Sequence, residues 1–596
     1  MLSVNSATLP TDRQTAVAVM SRVCKKAASR CTDDPLAVPE LWQKFAVLRL
    51  MLSSCYGPGG RFKQIHNNVG GHVLTTSTSS VLLRALTFSE DLLKLVAGAV
   101  INHAARLGDC GLFTGIVCIN LVQNARGMNL SAALATRVYR HLLAECRRYL
   151  RSESCGCRVE VDFSNVQTLI TLARTVISSK RVCMLTPEEL QHISSVTVQA
   201  FLLSVPSAPS DPSHSSAPSG PSESSESPGR RCFGRTVTIP LEGLPVGDSA
   251  VFPGLLLDLP VLQSGDLQRL GPAPYKIALF NMSLSGDLSD MEDAALEIHA
   301  GLNPDQVLLD QLLKLGEQVV RDGVVLFVCQ RVIHPVLQQY LRERGLVVIE
   351  RLGAALVEPL AQMTGTTMIS SIYSPIPAQA YGLVGGLRLH HRASKELLQL
   401  LPSGDPALST VLLCHRNQTM LEELKVMCER AEHVLRLTLK EPYALLGGGC
   451  TETLLSAYIR YTTESRAAEV AVDLSCSLSE VLLGTESFCR ALLSVAGSLE
   501  REDPPLLMDL TFAHCWNSRT SDQLCCSCGL IMNSSGLEQN PINTEHQAFL
   551  PELPQKLDLH PTLLLDSFSA KISALSVAVE VACLLLDVKY TIKDVN

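Results

Sequence analysis

The chain has 596 residues, of which 46% are hydrophobic and 18% are charged, which is enough apolar material for the cores of several soluble domains. Its formal net charge is −8 and its lysines and arginines are scattered, so the composition argues against nucleic acid as a partner. The N-terminus lacks a secretory pattern and the apolar stretch 577–586 is too short to cross a bilayer, so we expect a cytoplasmic protein without membrane insertion.

The 21 cysteines are scattered, and several lie on apolar faces, as expected of reduced thiols that act as small hydrophobic side chains. Two groups invite comparison with metal sites: Cys155 with Cys157, and the stretch from Cys525 to Cys528 with His514 upstream. A structural zinc site needs a second spaced pair of ligands, and the sequence shows none for either group. The spacing therefore argues against a metal at both places and leaves their role open.

Helices are predicted for most of the first 150 residues. Leu41, Phe45, Leu48 and Leu52 recur at spacings of four and three, which predicts a core-facing helix that ends in a Gly/Pro-rich loop at 54–63. A short strand near 72–76 leads through 77–80 into the next helix, where we expect a serine cap. Apolar patterns predict further helices at about 92–104, 112–125 and 131–150.

Two segments in the middle of the chain differ in composition and pattern from the helical first part. Residues 204–231 form a Ser/Pro run with too little apolar surface to offset the entropy of ordering, so a disordered insertion is predicted. Strand and helix patterns then alternate from 277 to 349, which indicates a small α/β layer domain.

Residues 429–435 lie in a predicted helix that precedes a three-glycine turn at 447–449. Such a turn lets the backbone approach a ligand and exposes N–H groups at a helix N-terminus, where an anion or phosphate can bind. A tight turn packed against another backbone would need the same glycines. The triplet alone leaves both interpretations open.

Five short motifs, taken in order, resemble those of the group II chaperonins, the cytosolic ring-shaped folding machines. In that family a G-P-K-G-M-D-K loop and N-D-G-A-T and G-D-G-T-T turns precede an E-R-x-x-H-D-A helix and a G-G-G-x-x-E turn. Here the same order falls on residues 57–63, 76–80, 108–112, 429–435 and 447–452. The strand 411–416 and the helix 575–586 fit the family as well. The resemblance therefore covers almost the whole chain.

The resemblance implies the multidomain group II chaperonin fold, with a mainly α equatorial domain, a small intermediate hinge domain and an α/β apical domain. The region 283–302, about where the family carries a helical lid, looks short for one. The implied boundaries are 1–147 and 417–596 for the two equatorial halves, 148–203 and 367–416 for the intermediate domain, 232–366 for the apical domain, 204–231 for the insertion, and 504–554 for a divergent Cys-rich segment.

The resemblance also implies a degenerate nucleotide site. Asp109 matches the family's magnesium ligand, but Gly111 and Leu112 replace the threonines that follow the G-D-G. The two water-orienting carboxylates of the family fall on Ser77 and Val434, so no catalytic residue is assigned and no meaningful ATPase is expected. Whether ATP with magnesium binds at all stays open. The implied nucleotide-binding residues are Gly57, Pro58, Gly60, Asp109, Gly111, Gly447, Gly448 and Gly449.

Several stretches look like a divergent vertebrate branch of the family rather than its ring-forming subunits. That likeness implies a role in assembling the Bardet–Biedl ciliary complex, whose subunits would be the clients, together with other chaperonin-like proteins and cytosolic chaperonin subunits. It also implies residence at the centrosome or basal body. Two other interpretations remain: an ATP-hydrolysing chaperonin that folds clients in its own ring, and a non-enzymatic scaffold that docks through its apical domain.

Overall fold

The computed structural model describes residues 30–66, 73–179, 183–205, 234–258, 270–286, 304–392, 395–404, 408–499, 506–510, 514–518, 524–528 and 563–593. Its helices are α1 (Pro39–Ser53), α2 (Ser79–Ala85), α3 (Asp91–Leu107), α4 (Gly111–Gly127), α5 (Ala132–Arg151), α6 (Val166–Ser178), α7 (Pro187–Leu203), α8 (Pro304–Arg321), α9 (Pro335–Glu343), α10 (Ala354–Thr364), α11 (Gln418–Thr438), α12 (Cys450–Ser465), α13 (Ala467–Asp473), α14 (Leu478–Gly497) and α15 (Phe568–Asp587).

The strands of the described part of the chain are β1 (Arg30–Asp33), β2 (Lys63–His66), β3 (Val73–Thr76), β4 (Arg158–Glu160), β5 (Arg235–Glu242), β6 (Ala250–Pro253), β7 (Leu255–Asp258), β8 (Tyr275–Phe280), β9 (Leu326–Cys329), β10 (Val347–Ile349), β11 (Met368–Ile369), β12 (Gly382–Arg392), β13 (Lys395–Pro402), β14 (Leu408–His415), β15 (Tyr443–Leu446), β16 (Leu506–Asp509), β17 (His514–Ser518), β18 (Leu524–Cys526), β19 (Leu565–Ser567) and β20 (Tyr590–Lys593).

The largest core lies among helices from both ends of the chain. The four apolar residues that predict α1 are all buried in it, so that prediction is confirmed. Helix α15 packs against α3, α4 and α5, and α14 packs against α4, α5 and α12. Helix α4 is buried on nearly every side, since all residues from Gly111 to Val122 are buried. The two terminal portions of the chain therefore share one helical core.

Helix α15 corrects one sequence argument. Because it begins at Phe568 and has 20 residues, it is long and apolar enough to cross a membrane by length and composition. The expectation that the apolar stretch 577–586 is too short is therefore wrong about the helix. Within the fold, 61% of its most apolar stretch is buried, as expected of a core helix.

The predicted alternation of strands and helices between 277 and 349 is confirmed. Strands β10, β9, β8 and β11 run parallel to one another, and β12, β13 and β7 continue the same sheet in antiparallel fashion. Alternate residues of β8 and β9 face opposite sides, so α8 and α9 cover one face and α10 covers the other. This sheet has a core on each side.

A small sheet positions the three-glycine turn. Strand β15 lies between β4 and β19, and both neighbours pair with it in antiparallel fashion. Strand β15 leads into Gly447 and α12, while β19 leads into α15. The pairing of β15 with β19 therefore holds the glycine turn beside the start of α15.

Several sequence-based predictions lie wholly or largely outside the described residues. Only Ser204 and Val205 of the Ser/Pro run, the first residues of the lid region, and three short strands of the Cys-rich segment are described. The domain boundaries given above stay predictions.

Candidate functional site

Three of the five motifs meet where α3 ends and α4 begins. A Cβ atom on Gly111 would lie 2.3 Å from Ser79 Oγ, so the start of α4 touches the 76–80 turn. Arg430 Nη2 of α11 donates a hydrogen bond of 3.3 Å to Ser80 Oγ in the same turn. His433 Nε2 lies 3.0 Å from the carbonyl oxygen of Arg106 at the end of α3. Motifs that are more than 300 residues apart thus form one site.

A buried carboxylate that the sequence analysis overlooked organises the 76–78 turn. Glu423 Oε1 of α11 accepts hydrogen bonds from Ser77 N (3.0 Å), Ser77 Oγ (2.6 Å) and Thr78 Oγ1 (3.0 Å). Its Oε2 accepts one from Thr76 Oγ1 at 3.0 Å. The signal in the sequence was that Glu423 falls on the same face of α11 as the apolar residues Leu424 and Met427, which are buried with it. With four donors, this carboxylate already has its hydrogen-bond partners.

The contact also corrects the predicted serine cap. Helix α2 begins at Ser79, and the residue before it is Thr78, which makes no side-chain hydrogen bond to the free N–H groups of the helix. The Thr78 hydroxyl donates to Glu423 instead. A charged acceptor in a buried site competes strongly for this hydroxyl because hydrogen bonds to ionised groups are the stronger ones.

Val434 belongs to the apolar core. Its side chain has 0% exposure, and it lies on α11 one turn after Arg430. Helix α11 packs against α6 and α7, and Val434 is part of the main core cluster. The position that the resemblance matches to a catalytic aspartate therefore holds an apolar side chain away from water.

Asp109 is half-buried in the turn between α3 and α4, beside cationic Arg430. Burial lowers the pKa of Arg430, and the negative charges of Asp109 and Glu423 act in the opposite direction. Cys110 follows with a left-handed φ of 60°, at the position where the family has a glycine. Burial raises the pKa of the Cys110 thiol well above its usual value, so this thiol is neutral.

The three-glycine turn is covered by the Cys-rich segment. Gly448 and Gly449 have φ of 66° and 85°, which favours glycine at both positions. A Cβ atom on Gly448 would lie 2.7 Å from the carbonyl oxygen of Ser527, and one on Gly449 would lie 3.2 Å from Cys515 Sγ. Ser527 Oγ donates a hydrogen bond of 2.6 Å to the carbonyl of Gly448. This is the geometry of a turn packed against another backbone.

The 54–61 loop closes on itself beside α14. Gly60 N donates to the carbonyl of Gly57 at 3.0 Å, with the half-buried Pro58 between them. A Cβ atom on Gly57 would lie 2.5 Å from a methyl group of Leu499, which follows α14. Two of the implied phosphate-binding glycines are therefore engaged in contacts within the protein.

A buried lysine joins the glycine turn to α15. Lys571 Nζ lies 2.5 Å from Glu452 Oε1 and 2.9 Å from Asp566 Oδ2, and 4.5 Å from the centre of the Phe113 ring. Burial alone lowers the pKa of Lys571, but Asp566 and Glu452 outweigh it, so this pKa lies well above its usual value. The sequence signal was the one lysine of α15, which lies in the buried first turns of a mainly apolar helix. We refer to Lys571, Glu452 and Asp566 as the buried lysine cluster.

The two positions that the resemblance matches to water-orienting carboxylates, Ser77 and Val434, hold no group that could activate water. Cβ atoms added to Gly111, Gly448 and Gly449 would lie 2.3, 2.7 and 3.2 Å from atoms of Ser79, Ser527 and Cys515, so neighbouring residues fill the side-chain side of each glycine. The Ser77 hydroxyl donates to Glu423, and Val434 is in the core. We therefore derive no catalytic step through a bound nucleotide.

The structure also shows which side chains surround the two cysteine groups. Cys155 Sγ and Cys157 Sγ lie 3.6 Å apart. The expectation that the second group lacks further ligands is wrong. Cys450, His514, Cys526 and Cys528 place their ligand atoms within 4.8 Å of one another. The sequence hid this set because Cys450 precedes Cys526 by 76 residues.

Comparison with known proteins agrees with these motifs. The profile of the TCP-1/cpn60 chaperonin family matches residues 48–596. The human "Molecular chaperone MKKS" is 40% identical over 97% of this chain and 100% of its own length, and the mouse protein of the same name is also 40% identical over 97% and 100%. "Thermosome subunit alpha" of Sulfurisphaera tokodaii is 23% identical over 78% of this chain and 79% of its own length. The chain therefore belongs to the TCP-1/cpn60 chaperonin family, and its thermosome relatives relate it to the group II members.

Proposed function

We propose that this protein is a chaperonin-like assembly factor that does not hydrolyse ATP efficiently. The observation that carries the proposal is Val434, which is fully buried in the core where the resemblance calls for a water-orienting carboxylate. A positioned general base contributes about 10²–10⁴-fold to a reaction rate. A valine neither accepts a proton nor orients a water molecule.

The second expected carboxylate position supports the same proposal. Ser77 presents a hydroxyl in place of the carboxylate, and this hydroxyl donates to Glu423 at 2.6 Å. Glu423 itself accepts four hydrogen bonds from the 76–78 turn, which leaves it poorly placed to activate water. The retained Asp109 and the glycine turns then serve the fold, and nucleotide binding without turnover stays a prediction.

The finer part of the proposal concerns clients and partners. The similarity over the full length of human MKKS, which is named a molecular chaperone, supports action on protein clients. The likeness to the McKusick–Kaufman/Bardet–Biedl branch supports assembly of the Bardet–Biedl ciliary complex, with other chaperonin-like proteins and cytosolic chaperonin subunits as partners. Cytoplasmic residence at the centrosome or basal body, and the division into equatorial, intermediate and apical domains, are proposed on the same basis.

Steady-state phosphate release from the purified full chain with magnesium and ATP tests the first part. We expect no release above the buffer level, while a thermosome assayed in parallel gives the positive control. Release at a rate comparable to the thermosome would overturn the proposal.

Co-purification from cells tests the second part. Tagged full-length protein should retain Bardet–Biedl subunits and cytosolic chaperonin subunits at equal yield with and without ATP in the wash buffer. Failure to recover either class of protein, with the tagged chain folded and abundant, would contradict the proposed partners and leave the ATPase proposal untouched.

A further inference from the structure

Four potential metal ligands meet beside the three-glycine turn. Cys450 is the first residue of α12, His514 begins β17, Cys526 ends β18, and Cys528 lies two residues further on. All four side chains are buried, with exposures of 1%, 4%, 4% and 0%. Their ligand atoms lie within 4.8 Å of one another. Three thiols and one imidazole thus converge on one point in the interior.

The distances suit a four-coordinate metal. Cys450 Sγ lies 3.5 Å from Cys526 Sγ, Cys526 Sγ lies 2.9 Å from Cys528 Sγ, and His514 Nδ1 lies 3.1 Å from Cys526 Sγ. In a tetrahedral site with Zn–S of about 2.3 Å and Zn–N of about 2.0–2.1 Å, neighbouring ligand atoms are about 3.5–3.8 Å apart. Small rotations of the side chains would reach this spacing, because the four residues come from separate backbone positions that already surround the point.

The donor set selects the metal. Thiolate ligands favour zinc and other soft metals, whereas magnesium and calcium prefer oxygen ligands. Three cysteines and one histidine form a closed set of the kind found in structural zinc sites, with no position left for a substrate. We propose that Cys450, His514, Cys526 and Cys528 bind one structural zinc ion, which we call the Cys₃His site.

The surroundings hold the ligands in place. Ser527 N donates to the carbonyl of Cys515 at 2.8 Å, and Leu564 N donates to the carbonyl of Cys528 at 2.8 Å. Ser527 Oγ lies 3.5 Å from Cys450 Sγ while it donates to Gly448. Hydrogen bonds around the ligands of this kind orient a metal site.

The site explains how a small piece of sheet stays folded. Strands β16, β17 and β18 have four, five and three residues, too few to form a stable sheet by themselves. A zinc ion would join this sheet to α12 and fix the contact between Ser527 and Gly448. The metal would therefore set the geometry of the three-glycine turn, with no direct part in chemistry.

Metal analysis of the full chain, expressed with zinc available and purified without chelator, is the direct test. We expect about one zinc per chain, as in a closed structural site. H514A and C526S should lose the zinc. C329S removes a buried thiol in β9, which is not part of the Cys₃His site, and it should keep the zinc. H514C keeps four ligands and should keep the zinc too, which separates loss of a ligand from loss of the fold.

A second measurement does not depend on variants. Exchange of zinc for cobalt(II) should give the strong visible absorption of a tetrahedral thiolate complex. Chelation of the wild-type metal should speed hydrogen exchange at 448–450, 514–518 and 524–528. The proposal would be overturned if folded wild-type protein contained no zinc, or if it contained iron and acid-labile sulfide instead. It would also be overturned by a disulfide between Cys526 and Cys528, or by equal zinc contents in H514A and wild type.

Discussion

Glu423 is the residue on which the 76–78 turn depends. Its carboxylate accepts one backbone and three hydroxyl hydrogen bonds in a buried site. The change E423Q removes the negative charge. It also replaces one carboxylate oxygen, which accepts hydrogen bonds from the 76–78 turn, with an NH₂ group that can only donate. We expect a loss of about 2–4 kcal/mol of stability, since hydrogen bonds to charged groups contribute about 1.5–3 kcal/mol each. Thermal unfolding and hydrogen exchange at 76–80 would measure it.

The neighbouring Glu422 provides the control for that prediction. It is exposed on the same helix and accepts a hydrogen bond of 2.9 Å from Gln418. E422Q should change stability by less than about 0.5 kcal/mol, as usual for surface positions. Equal exchange at 76–80 in the two variants would contradict the role given to Glu423.

The buried lysine cluster supplies a second prediction. K571M would leave Glu452 and Asp566 facing each other without a cation, and breaking a buried ion pair in this way costs about 3–5 kcal/mol. K94M removes an exposed lysine that lies 2.8 Å from Asp91, and it should cost no more than about 1 kcal/mol. The midpoints of thermal unfolding of the two variants and the wild type provide the comparison.

The pH dependence of Lys571 has a definite sign. Its pKa is raised in the folded state, because Asp566 and Glu452 outweigh the opposing effect of burial. Its stabilisation is therefore complete below the ordinary lysine pKa of about 10.4 and is lost only as the pH rises through the higher folded value. The difference in unfolding midpoint between wild type and K571M should stay constant from about pH 7 to about pH 9. A difference that shrinks over this range would contradict the assignment.

At the scale of elements, the hairpin of β17 and β18 depends on the glycine turn beneath it. G448A would put a Cβ atom 2.7 Å from the carbonyl oxygen of Ser527, at a residue with φ of 66°. The left-handed conformation alone costs a non-glycine residue about 1–2 kcal/mol, so we expect a loss of at least about 2 kcal/mol. Faster hydrogen exchange in β17 and β18 should accompany the lower unfolding midpoint.

Gly98 is the matched control for that change. It lies within α3, and a Cβ atom there would meet nothing within 4 Å. G98A should stabilise the protein by about 0.5–1 kcal/mol, because alanine loses less backbone freedom than glycine in a helix. A G448A variant as stable as wild type would show that the hairpin does not press on the turn.

At the scale of the whole molecule, the Cys-rich segment bears on assembly. The resemblance to the group II chaperonins implies that neighbouring ring subunits would touch near this segment, which is divergent here. In this chain Ser527 and Cys515 of the segment pack against the chain's own glycine turn. We therefore expect light scattering to give a particle of one or a few chains of 64.5 kDa. A homogeneous particle of many subunits, unchanged on dilution, would favour the interpretation of an ATP-hydrolysing ring.

Much of the fold could be predicted from local patterns. The spacing of Leu41, Phe45, Leu48 and Leu52 predicts α1 because a helix repeats every 3.6 residues and one face must be buried. The three glycines predict the turn before α12, and the structure gives two of them positive φ. Patterns of this kind are local, so the chain itself carries them.

The candidate site could be predicted only in part. The replacements at Ser77 and Val434 are readable once the motifs are aligned, since they concern side-chain type alone. Glu423 was missed because its partner Ser77 is 346 residues away, and spacing along the chain says nothing about such contacts. Three of the four proposed zinc ligands, His514, Cys526 and Cys528, lie in a group that the sequence points to, but Cys450 was missed because it lies 76 residues before Cys526.

The sequence by itself therefore determined the family, the order of the motifs and the absence of the two expected carboxylates, because each of these depends on residue type and local order. Only the tertiary structure decided which distant groups meet: a glutamate that holds the 76–78 turn, a buried lysine between two carboxylates, and four potential metal ligands beside the three-glycine turn. These groups are distant in sequence, and it is burial in a shared core that brings their charges and thiols within bonding distance.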